Sequence, residues 1–431
     1  PGSGNVTIRG ATIANESYQV NGTGTLTIES NAASFASNFT SSALTEASTL
    51  TEVTIGKSTN TSNINLNSAI AIAGPITVYG GSIDVNSNLT ATGGNILLDA
   101  DTGSALATND DGVLIAGGVT VQTSTSGNIT IYGRSGNNNT AGLVGIQTTG
   151  SGNSISITSA GDITMIGISE AANSSTARGT YFHTTDITAA GNINITGQAK
   201  NVGNDYDVSF QESSLTTTNG SITVKAQNLG RINFTDSGSD DPLTAGGGND
   251  ITLYANVFAN GIGLDTTGEV NLLPGYNTSD VAQTAFTQDI DLGDFTFNNL
   301  TGLTVGTTNN TSNITFSQAI SVDGPIKAYT TGTGTVTLTA NLVSASGTSL
   351  IQGELEGTGD FTQTTGTLQV NATGDNTSYT GDIKGDGAFT KLGDSILTLS
   401  GANTYTGDTT ISAGTLTIDG TGTLESGNYD G

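Results

Sequence analysis

The sequence holds few residue types that could do chemistry. Its only histidine, His183, lies in Arg178-Gly179-Thr180-Tyr181-Phe182-His183-Thr184-Thr185-Asp186. Acid–base cleavage of a polysaccharide needs a basic residue beside carboxylates, and Arg178, Lys200, Lys225 and Arg231 lie in the same region. Weighed against this, one histidine on an irregular coil is an ordinary loop residue. There is no cysteine, and no Ser-His-Asp or Cys-His set assembles with any specificity. The expectation is that the chain has no catalytic residues and is not an enzyme.

Three acidic groups carry the only metal chemistry on offer. They are Asp110-Asp111-Gly112, Asp236 with Asp240-Asp241, and Gly246-Gly247-Gly248-Asn249-Asp250. Carboxylates in glycine-rich turns suit calcium, and the last group resembles one copy of the calcium-binding nonapeptide. That motif works by stacking several copies. Turn chemistry and solubility therefore account for these aspartates, and no cofactor is expected, with calcium at Asp110, Asp111, Asp236, Asp240, Asp241 and Asp250 as the one alternative. Sequons such as Asn88-Leu89-Thr90 and Asn194-Ile195-Thr196 are abundant, as chance dictates in a chain this rich in Asn and Thr. Tyr379 and Tyr405 are expected to pack at a corner rather than to stack on sugars.

The 431 residues carry a formal net charge of −27, with 10 Lys and Arg against 37 Asp and Glu. That charge argues against nucleic acid and anionic lipid as partners. No apolar run approaches the roughly 20 residues of a membrane helix. Hydrophobic residues are 34% of the chain, too few for a broad globular core, and 61 glycines accompany them. The chain opens at Pro1-Gly2-Ser3-Gly4 without a signal peptide and stops mid-pattern at Asn428-Tyr429-Asp430-Gly431, which reads as a fragment or processed piece.

Repetition decides the fold. A strand–turn–strand phrase recurs as Gly127-Asn128-Ile129-Thr130-Ile131, Gly161-Asp162-Ile163-Thr164-Met165, Gly191-Asn192-Ile193-Asn194-Ile195 and Asn219-Gly220-Ser221-Ile222-Thr223-Val224. Alternation with period two marks strands with one apolar face. Strands of three to five residues entered through Gly-Asn or Gly-Asp suit a coil, with those residues taking up left-handed corners. The fold predicted is all-β, a single-stranded right-handed parallel β-helix, a β-solenoid. Ile129 and Ile131 should face inward and Thr130 outward. A second repeat is longer. Val53-Thr54-Ile55-Gly56, Asn60-Thr61-Ser62-Asn63-Ile64 and Gly74-Pro75-Ile76 return as Leu303-Thr304-Val305-Gly306, Asn310-Thr311-Ser312-Asn313-Ile314 and Gly324-Pro325-Ile326, so 53–79 and 303–329 form a duplication.

Two families come into view at these residues. Gly74-Pro75-Ile76-Thr77-Val78-Tyr79-Gly80-Gly81-Ser82-Ile83-Asp84-Val85 resembles the repeats of filamentous-haemagglutinin-like adhesins, exoproteins of two-partner secretion. Gly385-Asp386-Gly387-Ala388-Phe389-Thr390-Lys391-Leu392-Gly393, followed by Leu397-Thr398-Leu399-Ser400-Gly401-Ala402-Asn403-Thr404-Tyr405-Thr406-Gly407, resembles the autotransporter-associated β-strand repeat. A degenerate copy runs from Gly357 to Asp382. The organisation expected is a haemagglutinin-like β-helix over 1–350 and β-strand repeats continuing the same solenoid over 351–431. The resemblance implies a secreted or bacterial cell-surface adhesin or rod segment. Its partners would be surface glycans or proteins, copies of itself, and an outer-membrane secretion partner for the parent protein. A purely structural stalk or self-associating filament is the alternative, and a polysaccharide-active β-helix enzyme the more distant one.

Overall fold

The computed structural model describes residues 2–13, 18–41, 44–46, 48–103, 108–137, 142–150, 152–171, 177–200, 206–228, 230–235, 242–374, 376–419, 423–424 and 428–430. The chain divides into two compact units, Pro1–Pro242 and Leu243–Gly431. Among the described residues both consist of short strands, with no helix.

The first unit is a right-handed coil of parallel strands on three faces. A long face takes Ile76–Tyr79, Ile96–Ala100, Ile129–Arg134, Ile163–Ser169, Ile193–Ala199 and Ile222–Gln227, each paired with the next. A second face takes Ile83–Val85, Val113–Ala116, Val144–Thr149, Arg178–His183, Tyr206–Gln211 and Arg231–Thr235. The third takes Leu89–Ala91, Thr120–Thr123, Ile155–Ser159, Thr185–Ala189 and Ser214–Thr217. Parallel stacking satisfies each strand's backbone from the rungs on either side.

Alternation sets the core. Ile96, Ile129, Ile163, Ile193 and Ile222 stack in one inward column, and Leu98, Ile131, Met165, Ile195 and Val224 in the next. All ten are fully buried. Between them Thr130 and Thr164 point outward and are half-buried. The inward and outward assignments at 129–131 are those the alternation predicts.

Two expectations need correction. Strands reach seven residues, in Ile163–Ser169 and Ile193–Ala199, beyond the three to five anticipated. Glycine makes the extension possible. Gly133, Gly167 and Gly197 stack in register where the long face turns toward the second. A Cβ on Gly167 would sit 2.1 Å from the Gly179 carbonyl oxygen, and one on Gly197 1.9 Å from that of Asp207. Backbones cross there too closely for any side chain.

The corner residues also act differently from expectation. Gly127 has a left-handed φ of 111°, but Gly161, Gly191 and Gly220 do not. They are glycine for lack of room: a Cβ on Gly161 or Gly191 would lie 2.2 Å from the side-chain oxygen of Asn128 or Asp162. The neighbouring polar residues form a ladder. Asn95 Oδ1 accepts from Asn128 N at 2.8 Å, Asn128 Oδ1 from Asp162 N at 2.9 Å, Asp162 Oδ1 from Asn192 N at 2.7 Å, and Asn192 Oδ1 from Ser221 N at 2.9 Å. Each side chain supplies an acceptor where the sheet ladder is interrupted.

The second unit repeats the three-faced scheme. Its long face runs through Glu269–Leu273, Gly302–Val305, Ile326–Tyr329, Thr348–Gln352, Thr367–Asn371, Ala388–Leu392 and Thr409–Ile411. The duplicated segments adopt the same interactions, each within its own unit. Asn60 Nδ2 donates to the Ser62 and Tyr79 carbonyls at 3.1 and 2.9 Å, and Asn60 Oδ1 accepts from Phe35 N. Asn310 does the same with Ser312, Tyr329 and Phe286. Gly56 and Gly306 turn the preceding corner at φ 83° and 80°, a left-handed conformation that glycine tolerates best.

Candidate functional site

The coil divides the basic residues around His183 between two faces. His183 ends the strand Arg178–His183 on the second face, so it is not a loop residue. Arg231 opens another strand of that face. Lys225 belongs to the long face, and Lys200 follows it and pairs with Glu170 at 2.8 Å. Lys200 and Lys225 therefore stand apart, while Arg178, His183 and Arg231 share the second face.

What gathers on the second face is a cluster of rings, cations and amides. Pairing puts Arg178 beside Tyr206, Tyr181 beside Ser209, and His183 beside Gln211. The next rung adds Asn233 beside Ser209 and Thr235 beside Gln211. The Tyr181 and His183 rings stack at 6.0 Å, and the Arg178 guanidinium lies 4.3 Å from the Tyr181 ring centre. Tyr181 donates its hydroxyl to Gln211 Oε1 at 2.5 Å, and Arg231 approaches the Tyr206 ring at 5.4 Å. Burial raises the Tyr181 phenol above its ordinary value, partly opposed by Arg178 and reinforced by Glu212. Beneath the cluster, Phe182, Phe210 and Phe234 stack inside the coil at 5.3 and 5.5 Å. That column fixes the strands carrying the outward side chains. The alternation of Tyr181 and His183 was visible in the sequence, but the contribution of two further rungs was not.

The aspartates are placed as follows. Asp111 Oδ1 accepts from Val144 N at 2.8 Å, one rung on, and Asp250 Oδ1 accepts from Glu269 N at 2.8 Å. Asp110 Oδ2 accepts from Asn63 Nδ2 at 3.1 Å. Burial pushes the Asp111 carboxyl up to about 6, opposed by the Val144 amide and helped by Asp84 and Asp110. Asp236, Asp240 and Asp241 lie outside the described residues. Among the described residues no group of three or more His, Cys, Asp or Glu side chains is arranged to hold a metal ion.

Tyr379 and Tyr405 are buried, at 0% and 1% exposure, so neither ring is open to a sugar. Tyr379 donates its hydroxyl to the Gly359 carbonyl, and the Tyr405 hydroxyl lies 2.7 Å from Thr409 Oγ1. Both lie inside the coil, with Tyr405 between its neighbours Phe389 and Thr409. Lys391 was not foreseen in the core. Its side chain is fully buried, and Nζ donates to the Leu392 and Gly393 carbonyls at 2.7 Å each and to Ala413 O at 3.3 Å.

Lys391 and Tyr405 belong to a recognisable unit. Residues 389–418 match the passenger-associated-transport-repeat family. They form an autotransporter passenger repeat, with Phe389, Lys391, Asn403 and Tyr405 as its interior. The repeat carries with it a secreted or surface-exposed location in broad terms. No curated protein and no solved structure matches the chain. Among the described residues no helix is long and apolar enough to cross a membrane.

Proposed function

We propose that the chain is a non-enzymatic segment of a bacterial cell-surface adhesin that attaches the cell to host, neighbouring-cell or matrix surfaces. The observation that carries this reading is the passenger repeat at 389–418 in a chain built of parallel coils. The polar side chains support it too, since the Asn–Asp corner ladder and the Lys391 carbonyl contacts hold backbone in place rather than converge on a reacting atom. The haemagglutinin-like phrases at 74–85 favour a parent protein exported with an outer-membrane secretion partner.

The test is attachment. Beads coated with the purified chain should adhere to epithelial cells or extracellular matrix above beads coated with an unrelated β-solenoid. Equal attachment would remove the adhesin reading. Release of reducing ends from polysaccharides by the chain would instead favour an enzyme. A second reading, a self-associating filament, draws on the outward column Thr27, Thr54 and Thr77, in register along the long face. Sedimentation of the free chain as concentration rises distinguishes it.

A further inference from the structure

We infer that the second-face cluster around Arg178, Tyr181, Tyr206 and Gln211 is a binding site for a carboxylate-bearing glycan. The inference rests on the adhesin reading and names the chemistry of its ligand. The chain carries only 10 Lys and Arg against 37 Asp and Glu, so carboxylates are in excess around its cations. Arg9 pairs with Glu29, and Arg134 with Asp101 and Glu170. Arg178, among the described residues, forms no ion pair; it lies on the Tyr181 ring, and its buried Nε has no hydrogen-bond partner. A guanidinium held by a ring keeps its fork free for a planar carboxylate, which it matches with two parallel hydrogen bonds.

The rest of the cluster suits a sugar chain. Tyr181, His183 and Tyr206 are half-buried and offer ring surface and edges, while Gln211 offers an amide for hydroxyls. These groups repeat from rung to rung at about 4.8 Å. That is close to the length of one sugar residue, so neighbouring rungs meet successive sugars. The Phe182–Phe210–Phe234 column behind them keeps the spacing rigid, which lowers the ordering cost of binding. Arg231 lies 5.4 Å from the Tyr206 ring centre and packs it from the next rung.

The experiment is titration of the whole chain with fluorescent hyaluronan oligosaccharides, with neutral dextran and poly-glutamate in parallel. Hyaluronan should bind, weaken as salt is raised, and outcompete both controls. Arg178→Gln should lower affinity tenfold or more. Arg178→Lys should recover only part, because it restores charge without the fork. Lys327→Gln, on the second unit, should change nothing. The Arg178 variants must keep the wild-type circular dichroism, and Tyr181→Phe, which loses only the Gln211 bond, gives a milder check at about twofold. Absence of hyaluronan binding, equal binding of poly-glutamate, or an unchanged Arg178→Gln would overturn the site. Coated-bead attachment run alongside separates the two ideas. Attachment that survives without hyaluronan binding removes this site alone, whereas loss of all attachment removes the adhesin reading with it.

Discussion

The coils at 96–227 and those at 361–411 solve one problem with different interiors. In the first, successive corner residues are 29 to 34 positions apart, and the two inward columns running from Ile96 and Leu98 are Ile, Leu, Val and Met. In the second the spacing falls to 19 to 22, and the column Val370–Lys391–Ile411 takes a lysine. Tyr379, Asn403 and Tyr405 join it inside. A short coil leaves its corner carbonyls close to its centre. A long side chain with a donor at its tip can then fill the core with its stem and satisfy those carbonyls at once. A wide coil puts the corners beyond the reach of its central side chains, so its buried hydroxyls, such as Thr123 and Ser159, sit at the corners themselves, bonded to the Gly127 and Asp162 carbonyls.

The sharpest way to break this comparison is at Lys391. Lys391→Ala should cost the second unit about 2–5 kcal/mol, as a buried cavity does. Lys391→Met should recover most of that, because it restores volume and removes a buried charge. Hydrogen exchange of the 388–392 strand amides is the readout. If Met were as damaging as Ala, the carbonyl bonds rather than the volume would hold the repeat.

Next come the duplicated asparagines, polar plugs common to both units. Asn60→Ala and Asn310→Ala each remove a buried side chain bonded to two carbonyls and two amides. Each should cost about 1–3 kcal/mol, and by equal amounts, in the unit that carries it. Unequal costs would mean the surrounding coil, not the plug, sets the energy.

A smaller effect separates the two regions by pH. Asp111 is raised from 3.8 to about 6, so its folded form holds the proton more tightly than the unfolded one. The stability it adds is full below about pH 4 and lost as pH rises through about 6. The first unit should therefore be more stable at pH 5 than at pH 7, and Asp111→Asn should flatten that difference. Lys391 is shifted the other way. Burial lowers it, opposed by Asp394, so its region gains stability as pH climbs toward the ordinary lysine value of 10.5. Melting curves from pH 4 to 9 with local exchange readouts check both signs.

The fold was legible where periodicity was strong. Ile129-Thr130-Ile131 names its own inside and outside, because period two leaves no other face for the isoleucines. The corners were legible in type and not in cause. Gly161-Asp162 reads as turn chemistry, yet the glycine is there for lack of room and the aspartate for the next rung's amide. Lys391 was hidden because a lysine at an inward position looks like a surface residue until the carbonyls around it are known. The second-face cluster was half visible. Tyr181 and His183 alternate within one strand, but Tyr206, Gln211 and Arg231 join them only through the pairing of rungs 24 to 30 residues apart.

One pair of variants on the long face distinguishes the inside of the coil from its outside. Ile131 is fully buried and Thr130 is not. Chemical denaturation monitored by far-ultraviolet circular dichroism should show Ile131→Ala destabilised by about 2–5 kcal/mol. Thr130→Ala should change stability by about 0.5 kcal/mol or less. A tolerant Ile131 with a critical Thr130 would put the inside of the coil on the opposite face and contradict the account.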